Sequence, residues 1–199
     1  MKTLFTDSFG ESLNRLIMQQ RWWYKIYQTL RYDIPRFIKN IWRFRKALWR
    51  HYWWDHHALL QFMEIGLTEM SDRLEVDGLE IEESRLKKVA KMRRVAQLIR
   101  NYNEDLYIDM AEAELGKIVH HPWEFEPVPD KEDLFQLIDK DTPEEKEHKT
   151  KVFTRSREIQ EQEWDELFEL LKGQDYSKFD NNIDFYEQFD GSGIRGWWD

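Results

Sequence analysis

VAKMRRVAQLIRNYNEDLYIDMAEA, residues 89–113, decides the fold class. Val89, Met92, Ala96, Ile99, Asn103, Leu106, Met110 and Ala113 recur three and four residues apart for more than three heptads, the period of a helix face and not the alternation of a strand. One long helix is predicted here. Asn103 falls at a core-type position, where a polar group fixes register at a cost in stability. The strip is therefore expected to serve both as internal packing and as a seam for self-association.

Working outward from this strip, Asp55 suits the cap of a preceding helix that buries Leu59, Phe62, Met63, Leu67 and Met70 and ends before Val76-Asp77-Gly78. On the other side, Pro122, Pro127 and Pro129 remove backbone donors, so His120 to Pro129 is expected to be a connecting loop. Thr142-Pro143-Glu144-Glu145 then combines a capping Thr, Pro at the first helical position and Glu three residues on. The long helix that follows has its inner face at Val152, Ser156, Ile159, Glu163, Leu167 and Leu170, and Gly173 suits its end. From Gln174 the aromatic pattern loses its period. No stretch alternates long enough to justify a β-sheet.

Nearer the start, Ser12 to Leu30 reads as a short amphipathic stretch, and Arg31-Tyr32-Asp33-Ile34-Pro35 as a helix start with Asp33 as cap. Beyond it Ile34, Phe37, Ile38, Ile41, Trp42, Leu48 and Trp49 hold one side, with Arg36, Lys39, Arg43, Lys46 and Arg50 away from it. The simplest reading makes Trp42 and Trp49 core and the cations a solvated face. The expected architecture is all-α, a multi-helix bundle with a long heptad-bearing helix and an irregular aromatic C-terminal tail. Residues 1–173 form the helical domain, with a basic aromatic head at 1–60 and an acidic helical body at 61–173. Residues 174–199 form a docking tail.

The 199 residues carry a formal charge of −9. That total hides an asymmetry, because residues 1–60 hold 11 Lys/Arg against 4 Asp/Glu, a net of +7, and the remainder carries −16. An acidic body disfavours duplex DNA, whereas a local cationic site for a small anion survives it, since screening acts within about 10 Å. There is no cysteine, which removes disulfides, thiolate metal sites and a cysteine nucleophile. No basic and apolar leader opens the sequence, and no stretch approaches the roughly 20 apolar residues of a span, so a cytoplasmic protein without membrane insertion is expected.

No catalytic, metal or cofactor motif is recognised. A Gly-x-Ser-x-Gly elbow, a phosphate-binding Gly loop and a His-Glu-x-x-His pair are all missing from the sequence. His51, His56, His57 and His120-His121 lack ligand spacing. Asp180-x-Asn182-x-Asp184 opens like a calcium loop, but Phe185 stands where Gly is needed and Gly191 where Glu is needed. What remains is the basic aromatic segment. Trp23 and Tyr24 are expected to stack on a base, and Arg31, Arg36, Lys39 and Arg43 to meet phosphate.

Arg31-Tyr32-Asp33-Ile34-Pro35-Arg36-x-Ile38-Lys39-Asn40-x-Trp42, Trp53-Trp54-Asp55 and the terminal Arg195-Gly196-Trp197-Trp198-Asp199 resemble a group of uncharacterised small bacteriophage proteins. The resemblance implies the cytosol of an infected bacterial host and no catalytic residue. By context alone it also suggests a sponge that sequesters a nucleotide-derived immune signal. The sequence is thus read as a non-enzymatic, homo-oligomeric protein that binds a small anionic nucleotide-derived ligand. A module that blocks or redirects a host protein, or a structural accessory protein, is the alternative.

Overall fold

A computed structural model describes residues 22–52, 54–127 and 134–197. The chain divides into two compact units, residues 1–58 and 59–199. The described part is mostly helical, and none of its helices is long and apolar enough to cross a membrane.

In the first unit, α1 (Trp22–Gln28) runs through a single π turn at Thr29–Asp33 into α2 (Ile34–Arg50). The expected helix start at Asp33 is therefore a mid-helix position. Asp33 has helical backbone angles and makes no side-chain cap. Pro35 explains the irregularity: in a regular α-helix its ring would meet the carbonyl one turn back, and it has no N–H to give. The widened turn just before it, where the Ile34 N–H reaches the Thr29 carbonyl, lets the helix continue past the proline. The Ser12 to Leu30 stretch lies outside the described residues except from Trp22 onward.

The second unit is built on α4 (Glu82–Asn103) and α6 (Pro143–Lys172). Val89, Met92, Val95, Ala96, Leu98 and Ile99 of α4 pack with Leu67 and Leu74 of α3 (His56–Asp77) and with Leu167 and Leu170 of α6. Burial of this kind contributes about 1.5–3 kcal/mol per large side chain, so the strip that decided the fold class forms the centre of the core. Arg93 clamps α4 to Asp72 and Glu75 of α3, and Arg94 makes a two-pronged contact with Glu166 of α6 at 2.8 and 2.6 Å. α6 begins with the full reciprocal capping box between Thr142 and Glu145 and ends at Gly173, which adopts φ +76°.

Two expectations for α4 change. The heptad strip is not one helix: Asp105, at φ +50°, breaks it, and α5 (Tyr107–Leu115) starts afresh and packs along α6. The polar core residue is Asn101 in place of Asn103. Asn101 is buried and donates to both carboxylate oxygens of Glu163 at 3.1 and 3.0 Å, whereas Asn103 is half-buried. Of the strip, Val89, Met92, Ala96 and Ile99 are buried in the chain's own core, whereas Leu106 and Met110 are half-buried and Ala113 is exposed.

The loop expected at His120 to Pro129 contains a strand. β1 (Glu124–Pro127) pairs antiparallel with β2 (Phe135–Ile138), the strands found among the described residues. Both strands are largely exposed, so no buried face imposed the alternation by which a strand is recognised. The C-terminal segment folds into the second unit. Trp197 lies in the main core, and its indole N–H donates to the Gly191 carbonyl at 2.7 Å. Trp198 and Asp199 lie outside the described residues, as does Trp53.

Candidate interaction face

On α2 the apolar and basic positions separate cleanly. At 100° per residue, Ile34, Phe37, Ile38, Ile41, Trp42, Leu48 and Trp49 cover one side, and Arg36, Lys39, Arg43, Lys46 and Arg50 the other. The apolar side is open to solvent. Trp42 is 68% exposed and Trp49 91%, so neither is the core residue that the simplest sequence reading made it. Arg45 interrupts the stripe, but its guanidinium lies over the Trp42 ring, 4.1 Å from the centroid, and donates to the Trp42 carbonyl. That stacking leaves the charge compatible with an apolar face.

The six residues expected to hold a ligand all lie along this helical run. Arg36, Lys39 and Arg43 follow one another at intervals of three and four residues and share the basic side. Arg36 meets Asp33 at 3.0 Å, and Arg43 donates to Asn40 at 3.2 Å. Arg31 sits on the π turn, exposed. Trp23 is exposed and Tyr24 half-buried, their rings edge to face with centroids 6.3 Å apart. From Trp23 to Arg43 the run measures about 30 Å at 1.5 Å per residue. A ligand pocket of about 300–1,000 Å³ is roughly 7–10 Å across, so one small molecule can meet the three consecutive cations or the two rings of one copy, not both.

Cavities of ligand size occur in the second unit. One of about 580 Å³ is walled by Tyr176, Phe185, Tyr186 and Phe189 and floored by Lys88 and Glu80, which pair with each other. Of the histidines, His56 and His57 are exposed beside Asp55, whose carboxylate accepts the His57 backbone N–H at 3.0 Å. The imitation calcium loop is closed on itself, with Asp180 accepting the Asn182 backbone and side-chain N–H groups.

These features define a helical protein that presents a long amphipathic helix, one side aromatic and apolar, the other basic. Residues 38–157 match the family described as a protein of unknown function, DUF2396, and the chain belongs to that family. The matched span takes in Lys39 and Arg43, while Trp23, Tyr24, Arg31 and Arg36 precede it. No curated protein and no solved structure matches the chain.

Proposed function

We propose that the protein is a non-enzymatic binding module that acts by laying the apolar side of α2 into a groove on another protein. The exposed stripe from Ile34 to Trp49 is the observation that carries this reading. Recognition of a helix in a groove uses anchors at such intervals, and Trp and Arg are enriched among residues that dominate binding. Lys39 and Lys46 lie nearest the border of the stripe, so charge complementarity calls for an apolar groove with acidic rims. The resemblance to phage proteins suggests a partner in the host cytosol, which the module would block or redirect.

Sequestration of a nucleotide-derived ligand keeps Arg36, Lys39 and Arg43 as its anion contacts. Trp23 and Tyr24 lie about 18–20 Å along the helix from Arg36 but about 10–12 Å from Arg31, so this reading also keeps Arg31 with the two rings. It gives the exposed apolar stripe no role, which favours the protein partner.

The test places a photocrosslinking residue at Phe37 or at Trp49 in the full chain within the host cell, with Lys178 as an exposed control. Crosslinks to one protein from both helix positions, lost with Ile41→Asp, are expected. Crosslinks to lipid, or none, would overturn the reading. Calorimetry with cyclic dinucleotides, cyclic ADP-ribose isomers and common nucleotides should show no binding tighter than about 100 μM. Tight binding abolished by charge reversal at Arg36 and Lys39 would replace the groove with sequestration.

A further inference from the structure

Between α5 and α6 the chain makes an excursion that the β1–β2 ladder turns back on itself. The register pairs Glu124 with Ile138. Carried three residues past that pair, it sets His121 opposite Asp141. Asp141 in turn precedes Glu145 by four residues at the start of α6, where the capping box holds the Glu145 side chain in place through the Thr142 backbone N–H at 2.8 Å. Two unrelated constraints, a ladder register and a helix cap, therefore deliver one imidazole and two carboxylates to the same point.

The ligand atoms of His121, Asp141 and Glu145 all lie within 4.8 Å of one another. His121 Nε2 is 3.3 Å from Glu145 Oε2 and 3.9 Å from Asp141 Oδ1. Ligands held at about 2.0–2.2 Å around a tetrahedral ion stand roughly 3.3 Å apart, so the cluster needs only a small contraction to close on one. The side chains are 16–35% exposed, which leaves the outer side of the point open to water.

We propose that His121, Asp141 and Glu145 bind one divalent transition-metal ion of the zinc type. An imidazole with two carboxylates suits zinc and its neighbours and is poorly matched to magnesium, which prefers oxygen and keeps its waters. Three protein ligands leave a coordination position for water. Bound there, the ion ties the segment before β1 to the first turn of α6. Three features oppose it and set the affinity below that of a closed structural site: Lys149 reaches the other oxygen of Asp141 at 2.5 Å, Glu145 Oε2 already accepts the Thr142 N–H, and the site lies at the positive end of the α6 dipole. This site does not depend on the role proposed for α2.

The test is calorimetric titration of Zn²⁺, and of Mg²⁺, into the full chain after chelation and dialysis. One Zn²⁺ per chain with a Kd near or below about 10 μM is expected, with no measurable Mg²⁺ binding. His121→Ala should weaken Zn²⁺ at least tenfold. Glu145→Gln, which keeps an oxygen for the cap, should weaken it as well with helicity unchanged, so the result does not hang on the fold of one variant. The double variant His56→Ala, His57→Ala should bind as the parent does. Absence of binding tighter than about 100 μM, or binding that survives His121→Ala and is lost in the double variant, would overturn the site.

Discussion

Replacing Trp49 by Ala should leave the stability of the chain unchanged, whereas replacing Ile99 by Ala should cost much of it. Ile99 is 0% exposed and sits among Met92, Val95 and Leu167, so its truncation removes buried methylene and methyl groups and leaves a cavity, a loss of about 2–5 kcal/mol. With a urea slope of about 2 kcal/mol/M, this moves the unfolding midpoint down by roughly 1–2.5 M. Trp49 is 91% exposed, and a substitution with so little to uncover shifts stability by no more than about 0.5 kcal/mol. The assay is urea titration followed by the helical circular dichroism signal, with the slope compared alongside the midpoint. A Trp49→Ala midpoint that falls as far as that of Ile99→Ala would make the tryptophan part of a core. The proposal of an open docking stripe would then lose its basis.

Gly191 adopts φ +86°, and a Cβ there would lie 2.3 Å from the Lys87 carbonyl carbon, so Gly191→Ala should loosen the C-terminal segment; limited proteolysis should then cut within 174–197, while Gly66→Ala, with nothing within 4 Å, should not. Thr142→Ala removes the acceptor for the Glu145 N–H and should cost about 1 kcal/mol in thermal unfolding, and Thr142→Ser should cost much less. The side-chain hydrogen bond from Arg94 holds the Glu166 carboxyl below its ordinary pKa of 4.5, and Arg155 does the same for Glu114. Folded pKa values below the unfolded ones mean stability that is present above about pH 4.5 and lost as pH falls through the folded values. Urea midpoints should therefore drop between about pH 5 and pH 3, less so in Glu166→Gln, and an equal drop in that variant would remove the pair from the account.

The helical class was legible because most α-helix in the second unit is held by periodic burial. Val152, Ser156, Leu167 and Leu170 lie inside as their spacing requires, and the Thr142 to Glu145 cap forms as its residues dictate. Three things escaped. Helix continuity through Arg31 to Pro35 depends on a π turn that absorbs the proline, and a Pro reads alike at a start or within such a run. The β1–β2 hairpin has no buried face. Exposure of Trp42 and Trp49 escaped as well, because an amphipathic pattern states which residues share a side and is silent on what covers that side. The His121 cluster was invisible for a different reason. Asp141 and Glu145 stand 20 and 24 residues from His121 along the sequence, a separation that no spacing rule connects and that only the hairpin register closes.

Self-association, expected from the heptad strip, would need a surface other than its buried half, Val89 to Ile99. The charge asymmetry offers one: residues 1–60 carry +7 and the rest −16, so the basic side of α2 in one copy would complement the acidic body of another. An interface held this way has a clear signature. Raising salt from about 0.05 M to 1 M shortens the screening length from above 10 Å to about 3 Å and dissolves contacts between exposed charges, whereas an interface made by the apolar stripe persists or tightens. Light scattering at micromolar protein should therefore report a dimer or larger species at low salt and a monomer at high salt, with Lys39→Glu and Arg43→Glu abolishing the low-salt species. A species indifferent to salt but lost with Trp42→Ala would assign the contact to the stripe. A strict monomer at both salts would exclude head-to-body pairing and leave the whole of α2 available to a different partner.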